Sequence, residues 1–342
     1  MSVNAVLSIS ESRVTLQLMA MKPFILILIS SFFILNFGAF AEENSLSQAE
    51  LLLSTKKSED GQKLIADFLR GQNDSKAYLQ VGNVFARLKR WPEAVHYLEI
   101  AVSRNEHDAL AWYELGLAQH QTKKIDNAVS SLRRSIAISS KTLKSYMALG
   151  EILELARDRS DAREIYLAGL KKIGERADIR AKLCWLNFQD SYFNETLLNC
   201  ARAVTLNPND VTSATLYATT LYYDHKKEEA FKKFKYIIDK FPKAALPYRS
   251  RGILYFQEKS FEEAILDLGK AFGLDSTDDE AGILLARALF ELKHYDQALP
   301  IYWETCRLNK TYRFEFISKQ RELARNNLKV LAAQYQEALD RK

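Results

Sequence analysis

The chain has 342 residues, with 48 lysines and arginines against 43 aspartates and glutamates, so its formal net charge is only +5. This small basic excess gives no reason to expect nucleic-acid binding. Six prolines and twelve glycines are too few for long disordered linkers. Segments that alternate with period two are also scarce, so we expect no β-sheet.

Residues 24–37 form the one strongly apolar run of the sequence. Lys22 precedes this run, and the small residues Ala39 and Ala41 follow it with one residue between them. A positive residue, a short apolar core and such a small-residue site together predict a secretory signal peptide, residues 1–41. The run is short for a membrane span, which needs about 20 apolar residues, so cleavage is favoured over an uncleaved anchor.

Residues 1–20 are mixed and polar, which is unusual ahead of a signal-peptide core. We therefore predict that translation starts at Met21. The mature protein is expected in the periplasm, with no stable membrane span after cleavage. An uncleaved N-terminal anchor remains the alternative.

Residues 109–142 contain two amphipathic helical patterns joined by a short polar turn. The small residue Gly116 lies in the first pattern, and the small residue Ala128 lies in the second. Steps of 34 residues from each give columns of mostly small side chains. The first column is Gly82, Gly116, Gly150, Cys184, Ala218, Gly252 and Ala286. The second column is Ala94, Ala128, Ala162, Thr196, Ala230, Ala264 and Ala298. Four residues further lies a column of mostly larger side chains, Leu98, Leu132, Tyr166, Cys200, Phe234, Leu268 and Tyr302.

These columns place seven uninterrupted units in residues 75–312, and their period and pattern resemble the tetratricopeptide repeat. The resemblance implies an all-α fold, a right-handed superhelical solenoid of antiparallel helix hairpins. The fourth unit departs from the pattern, because Arg180 replaces the aromatic residue of its first helix, and Cys184 and Thr196 occupy its small positions. A looser helix crossing or a bend is therefore expected there. A polar residue near the start of the second helix is expected to cap that helix in four units, namely Asp126, Ser160, Asn194 and Asp296.

The two ends of the chain depart further from the repeat. Residues 42–74 suggest a degenerate N-terminal hairpin, in which Ala49, Gly61 and Phe68 roughly continue the columns. Residues 313–342 lack the small columns and predict one long amphipathic C-terminal capping helix. An open solenoid needs end units of this kind for solubility, so a capping role is favoured over a dedicated partner-binding helix.

Cys184, Cys200 and Cys306 leave an odd number of cysteines. An exported chain could oxidise a pair of them. Cys184 and Cys200 face each other across one hairpin, but on a diagonal of the expected packing. We therefore favour two free, small core residues over a disulfide.

In this repeat family the first helix of each hairpin lines a concave groove, and ligands lie along it. Aromatic residues recur there at 34-residue spacing, as Phe188, Tyr222, Phe256 and Phe290. Such a ladder suits an apolar helix or an extended peptide, although half-burial against the neighbouring unit is the competing explanation. The groove candidates are Tyr113, Trp185, Phe188, Tyr222, Tyr223, Arg249, Phe256, Arg287 and Phe290.

Some relatives bind C-terminal carboxylates through a clamp of lysine, asparagine and arginine. Asn83 is present here, but Leu79, Tyr113 and Leu117 fill neighbouring positions, so that clamp is not recognisable. The histidines form no metal-ligand spacing, and no catalytic motif occurs, so we expect no metal, no cofactor and no enzyme activity. We expect a scaffold for protein or peptide partners in the bacterial cell envelope, with a glycan- or peptidoglycan-binding module as the alternative.

Overall fold

The computed structural model describes residues 45–340, apart from residues 56, 73 and 326–328. The predicted signal peptide and the proposed start at Met21 lie outside the described residues. Within these ranges the regular structure is helical, without a strand, which confirms the predicted all-α fold of helix hairpins. The chain divides into two compact units, at Asp158 and Arg159.

The first unit contains two complete hairpins and one further helix of the repeat, after two N-terminal helices. Its described helices are α1 (45–53), α2 (Ser58–Gly71), α3 (Ser75–Arg87), α4 (Trp91–Arg104), α5 (Ala109–Gln121), α6 (Ile125–Ile138) and α7 (Leu143–Leu155). The N-terminal pair meets closely, since a Cβ added to Gly61 would lie 2.8 Å from Leu53 Cγ. Ala49 is completely buried beside them.

The second unit begins with a single repeat helix, continues with four hairpins and ends with two further helices. Its hairpin helices are α8 (Arg159–Ile173), α9 (Ala177–Gln189), α10 (Phe193–Leu206), α11 (Val211–Tyr223), α12 (Lys227–Lys240), α13 (Ala245–Gln257), α14 (Phe261–Leu274), α15 (Asp279–Glu291) and α16 (Tyr295–Leu308). A 3-10 turn over Lys310–Tyr312 leads to α17 (Arg313–Arg325) and α18 (Lys329–Asp340).

The small columns mark the closest approach of the two helices within a hairpin. A Cβ added to Gly116 would lie 2.7 Å from Leu132 Cγ, and one added to Gly252 would lie 2.8 Å from Leu268 Cγ. Each glycine therefore leaves room for the larger residue 16 positions later. The predicted structural positions are all buried, namely Gly82, Ala94, Gly116, Ala128, Gly150, Ala162, Gly252 and Ala264.

Cys184 and Cys200 occupy this same pair of positions in the fourth unit, and they form a disulfide. Their Cα atoms are 4.9 Å apart, well inside the range that a disulfide requires. The prediction of two free thiols was wrong, because the columns 16 residues apart are direct partners rather than diagonal neighbours. The crossing is also not loose, since Cys184, Cys200 and Thr196 are completely buried.

The turn inside each of the seven repeats holds one non-glycine residue with a left-handed backbone. These residues recur every 34 positions, with φ between 57° and 63°, as Lys89, Lys123, Arg157, Ser191, His225, Lys259 and Lys293. In the second hairpin the Lys123 amide donates to the carbonyl of His120, and the Lys124 amide donates to that of Gln119. This pair of bonds is the Schellman motif, which ends the first helix and returns the chain for the second.

Four first helices have a side-chain cap. Asp74, Asp108, Asp210 and Asp278 accept hydrogen bonds from the first turns of α3, α5, α11 and α15. The predicted capping roles of Asp126, Asn194 and Asp296 were wrong, because each lies one residue inside its helix, and α6, α10 and α16 begin without a side-chain cap. The Schellman turn sets that earlier start.

The C-terminal segment is not one helix, as predicted, but the pair α17 and α18. In a single helix Phe316 and Tyr335 would lie about 28 Å apart, whereas their ring centroids are 5.1 Å apart. Both side chains are completely buried, and the Tyr335 hydroxyl donates to the backbone carbonyl of Tyr295. Burying this aromatic pair against the last hairpin is what favours two helices over one.

Candidate functional site

Most rings of the predicted aromatic ladder pack against other residues of their own hairpin. Tyr222 contacts Phe231 edge to face, and its ring centroid is 6.2 Å from that of Phe231. Phe256 and Phe290 make similar contacts with aromatic residues at the start of the following helix. Phe188 is half-buried and packs against the Cys184–Cys200 disulfide cluster.

Phe290 offers almost no surface to a ligand. Only 4% of it is exposed, and Lys319 of α17 lies over its ring, with Nζ 4.1 Å from the centroid. The C-terminal helices therefore cover this end of the ladder. The sequence pattern located the aromatic positions but did not reveal which rings are covered.

Two other aromatic candidates remain open on consecutive first helices of the second unit. Trp185 on α9 is 42% exposed, and Tyr223 on α11 is 37% exposed. The Tyr223 ring stacks on Phe193 at 6.2 Å, and its hydroxyl lies 3.4 Å from Gln257 Oε1. The ring is thus held in place while one part of it faces solvent.

The neighbouring Tyr222 is engaged through its hydroxyl, which donates to Glu258 Oε1 at 2.9 Å. Burial, together with this carboxylate, raises the pKa of Tyr222 to about 12. Lys227 pairs with the same carboxylate at 2.7 Å. The three groups form a local polar network rather than a free binding group.

Both arginine candidates are engaged within the chain. Arg249 lies 3.3 Å from Asp278, the residue that caps α15, and 3.6 Å from Glu280. Arg287 donates to both carboxylate oxygens of Glu315, at 2.8 and 2.5 Å. Arg287 therefore fastens α17 to the last hairpin.

In the first unit, an open recess of about 420 Å³ lies between the first helices α3 and α5. Tyr113, the groove candidate on α5, is half-buried nearby, and burial raises the pKa of its hydroxyl. Asn83, Trp91, Glu114 and Leu117 are among the residues that line the recess. Sequence reasoning singled out Asn83 and Leu117 but missed Glu114. Glu114 is the one acidic residue among the seven repeat positions equivalent to it, and this exception is the signal that could have identified it.

A second recess, of about 480 Å³, lies in the second unit at the ends of α9 and α10. Its charged groups are already paired. Arg176 pairs with Asp178, Glu175 pairs with Arg180, and Asp210 caps α11. This recess therefore has few polar groups that are available to bind a ligand.

The described residues contain no group of three or more histidine, cysteine, aspartate or glutamate side chains that could hold a metal ion. In the same ranges, every helix is too short or too polar to cross a membrane.

Comparison with known proteins agrees with the observed repeat. Tetratricopeptide repeat models match residues 79–141 and residues 255–302. The chain is 24% identical over 245 residues to Hsp70-Hsp90 organizing protein 1 of Glycine max, and the match covers 66% of this chain. It spans only 40% of that protein's length.

Solved structures share the fold at low identity. A tetratricopeptide repeat protein from Parabacteroides merdae matches with a TM-score of 0.57 and 15% identity, over 69% of this chain and 93% of that one. The C-terminal part of a repeat-containing protein from Cytophaga hutchinsonii gives 0.55 and 12%, over 69% and 97%. The 34-residue hairpins and both family matches lead to one conclusion: the chain is built of tetratricopeptide repeats, a repeat of protein–protein interaction scaffolds.

Proposed function

We propose that this protein is a non-enzymatic scaffold of the cell envelope, which binds a segment of a partner protein along its first helices. The observation that carries the proposal is the pair of open aromatic residues on consecutive first helices, Trp185 and Tyr223. Partly exposed tryptophan and tyrosine side chains are common anchors in protein interfaces. The match to a protein whose name describes the organisation of two other proteins supports a binding role.

Export is supported by the buried Cys184–Cys200 disulfide. Disulfides persist in oxidising compartments and are rare where thiols are kept reduced. The apolar run at residues 24–37 and the small residues before Glu42 agree with secretion. N-terminal sequencing of the protein from an envelope fraction tests this part, since the expected first residue is Glu42.

A crosslinking experiment in intact envelope fractions tests the binding surface. We expect adducts to map beside Trp185 and Tyr223, and Tyr223→Ala to reduce them. Tyr236→Ala is the matched control, because Tyr236 is 63% exposed but lies on the second helix α12. Equal loss of adducts in both variants would argue against a first-helix binding surface.

Tryptophan fluorescence distinguishes the proposed scaffold function from the competing glycan-binding function. Peptides from the crosslinked partner should protect Trp185 from quenching, whereas purified muropeptides should not. Protection by muropeptides alone would contradict the scaffold proposal.

A further inference from the structure

We propose that the recess between α3 and α5 binds a basic side chain, lysine or arginine, of the partner protein. The proposal rests on the proposed function, because it names what one part of the first-helix surface recognises. Its centre is Glu114, a half-buried carboxylate in the wall of the recess. In the described structure this carboxylate has neither a hydrogen bond nor an ion pair.

The cations near Glu114 do not neutralise it. Arg87 also lines the recess, but its guanidinium donates to both oxygens of Glu50, through Nε at 3.0 and 3.1 Å. Lys144 of α7 lowers the pKa of Glu114 through its charge, but the two residues form no ion pair in the described ranges. Burial is the larger influence and leaves the pKa of Glu114 raised. A carboxylate in this state is stabilised by a further cation placed against it.

The rest of the wall also suits a hydrogen-bond donor with an apolar stem. Asn83 has a buried side-chain oxygen without a hydrogen-bond partner, and Gln121 adds a second amide. Trp91 and Leu117 supply apolar surface. Lysine and arginine bury their methylene stems on such surface and carry only donors at their ends. A volume of about 420 Å³ is sufficient for either side chain.

The carboxylate is specific to the second repeat. At the same position the other six repeats have uncharged or basic side chains, namely Gln80, Ala148, Lys182, Leu216, Ser250 and Leu284. The full chain carries a net charge of only +5, so its bulk charge does not attract basic peptides. A preference for a basic side chain therefore has to come from a local site.

The experiment probes the signal-peptide-free protein with an immobilised library of random dodecapeptides. We expect bound peptides to be enriched in lysine or arginine at one position. Peptides with norleucine at that position should bind at least about tenfold more weakly, as expected for a lost charge-assisted hydrogen bond. Lysine-only and arginine-only sublibraries show which of the two side chains is preferred.

Glu114→Gln should remove the enrichment, and Glu114→Lys should replace it with a preference for acidic peptides. Glu99→Gln is the control, since it makes the same charge change at an exposed position of α4. Unchanged melting temperatures show that the variants are folded. Peptide binding without basic enrichment, or with equal effects of Glu114→Gln and Glu99→Gln, overturns this inference and leaves the scaffold proposal standing. A wild-type protein that retains no peptide contradicts the scaffold proposal itself, and the inference with it.

Discussion

Cys184 and Cys200 form a disulfide at the place where Gly116 and Leu132 pack together in the second hairpin. The positions are equivalent, because each pair is 16 residues apart and shifted from the other by two repeats. A covalent bond thus replaces the contact between a glycine and a leucine at the closest point of two helices. The fourth repeat keeps a tight crossing although its sequence departs most from the pattern.

The first prediction concerns thiol content. Denatured protein that has not been reduced should contain one free thiol, that of Cys306, and reduction should raise the number to three. Denaturation is required because Cys306 is buried, and burial raises the pKa of its thiol to about 11. Three free thiols before reduction would contradict the disulfide.

The same bond should be visible in stability. Closing 16 residues of chain stabilises a protein by about 3 kcal/mol in the chain-entropy model. Reductant should therefore lower the melting temperature of the wild type. It should have no effect on Cys184→Gly combined with Cys200→Leu, which restores the packing pair of the second hairpin.

A second prediction concerns the helix crossing. Gly116→Ala should destabilise by roughly 1–3 kcal/mol, because the added Cβ would lie 2.7 Å from Leu132 Cγ and 3.2 Å from the Ala128 carbonyl oxygen. Gly273→Ala is the control, since nothing lies within 4 Å of its added Cβ. That change should be neutral or stabilising, because alanine favours helix more than glycine does. Similar denaturation midpoints for both variants would argue against the proposed crossing.

A third prediction concerns the left-handed turn residues. Lys123 has a φ of 63°, which glycine adopts without steric cost, so Lys123→Gly should stabilise by about 0.5–1 kcal/mol. Arg134→Gly removes a positive charge at an exposed position inside α6 and should instead cost about 1 kcal/mol. Urea denaturation of the two variants should give shifts of opposite sign. Destabilisation by both would mean that Lys123 has a further structural role.

The fourth prediction uses the link between Arg287 and Glu315. Burial acts to raise the pKa of Glu315, but hydrogen bonds from Arg287 and Tyr302 outweigh it and leave the pKa below its usual 4.5. A carboxylate with a lowered folded-state pKa stabilises the fold above about pH 4.5. This contribution is lost as the pH falls through the folded-state pKa.

Glu315→Gln should therefore lower the melting temperature at pH 7, and the difference from the wild type should shrink towards pH 3. Glu304→Gln provides the comparison, because the pair of Glu304 and Arg307 on α16 is more exposed than that of Glu315 and Arg287 and should show a smaller difference. A constant difference for Glu315→Gln across this pH range would exclude the ion pair as its cause.

Much of the architecture was predictable because the repeat is local. The 34-residue columns located the crossings at Gly116 and Gly252, and two helices of fixed length joined by a short turn leave few other arrangements. The aromatic positions Tyr222 and Phe290 follow from the same period. The sequence also placed Arg287 among the groove residues, but it could not show that Arg287 pairs with Glu315. Glu315 lies in a segment outside the 34-residue period, so the period does not predict this contact.

The sequence by itself therefore determined the repeat, its hairpins and the small residues at their crossings, since these depend on spacing along one hairpin. Only the tertiary structure decided that Cys184 bonds to Cys200, because a disulfide depends on a distance in space. It also decided that Phe290 is covered while Trp185 is open. A periodic sequence specifies where a side chain lies on its helix, whereas its exposure, charge pairing and access to ligands depend on the elements packed against it.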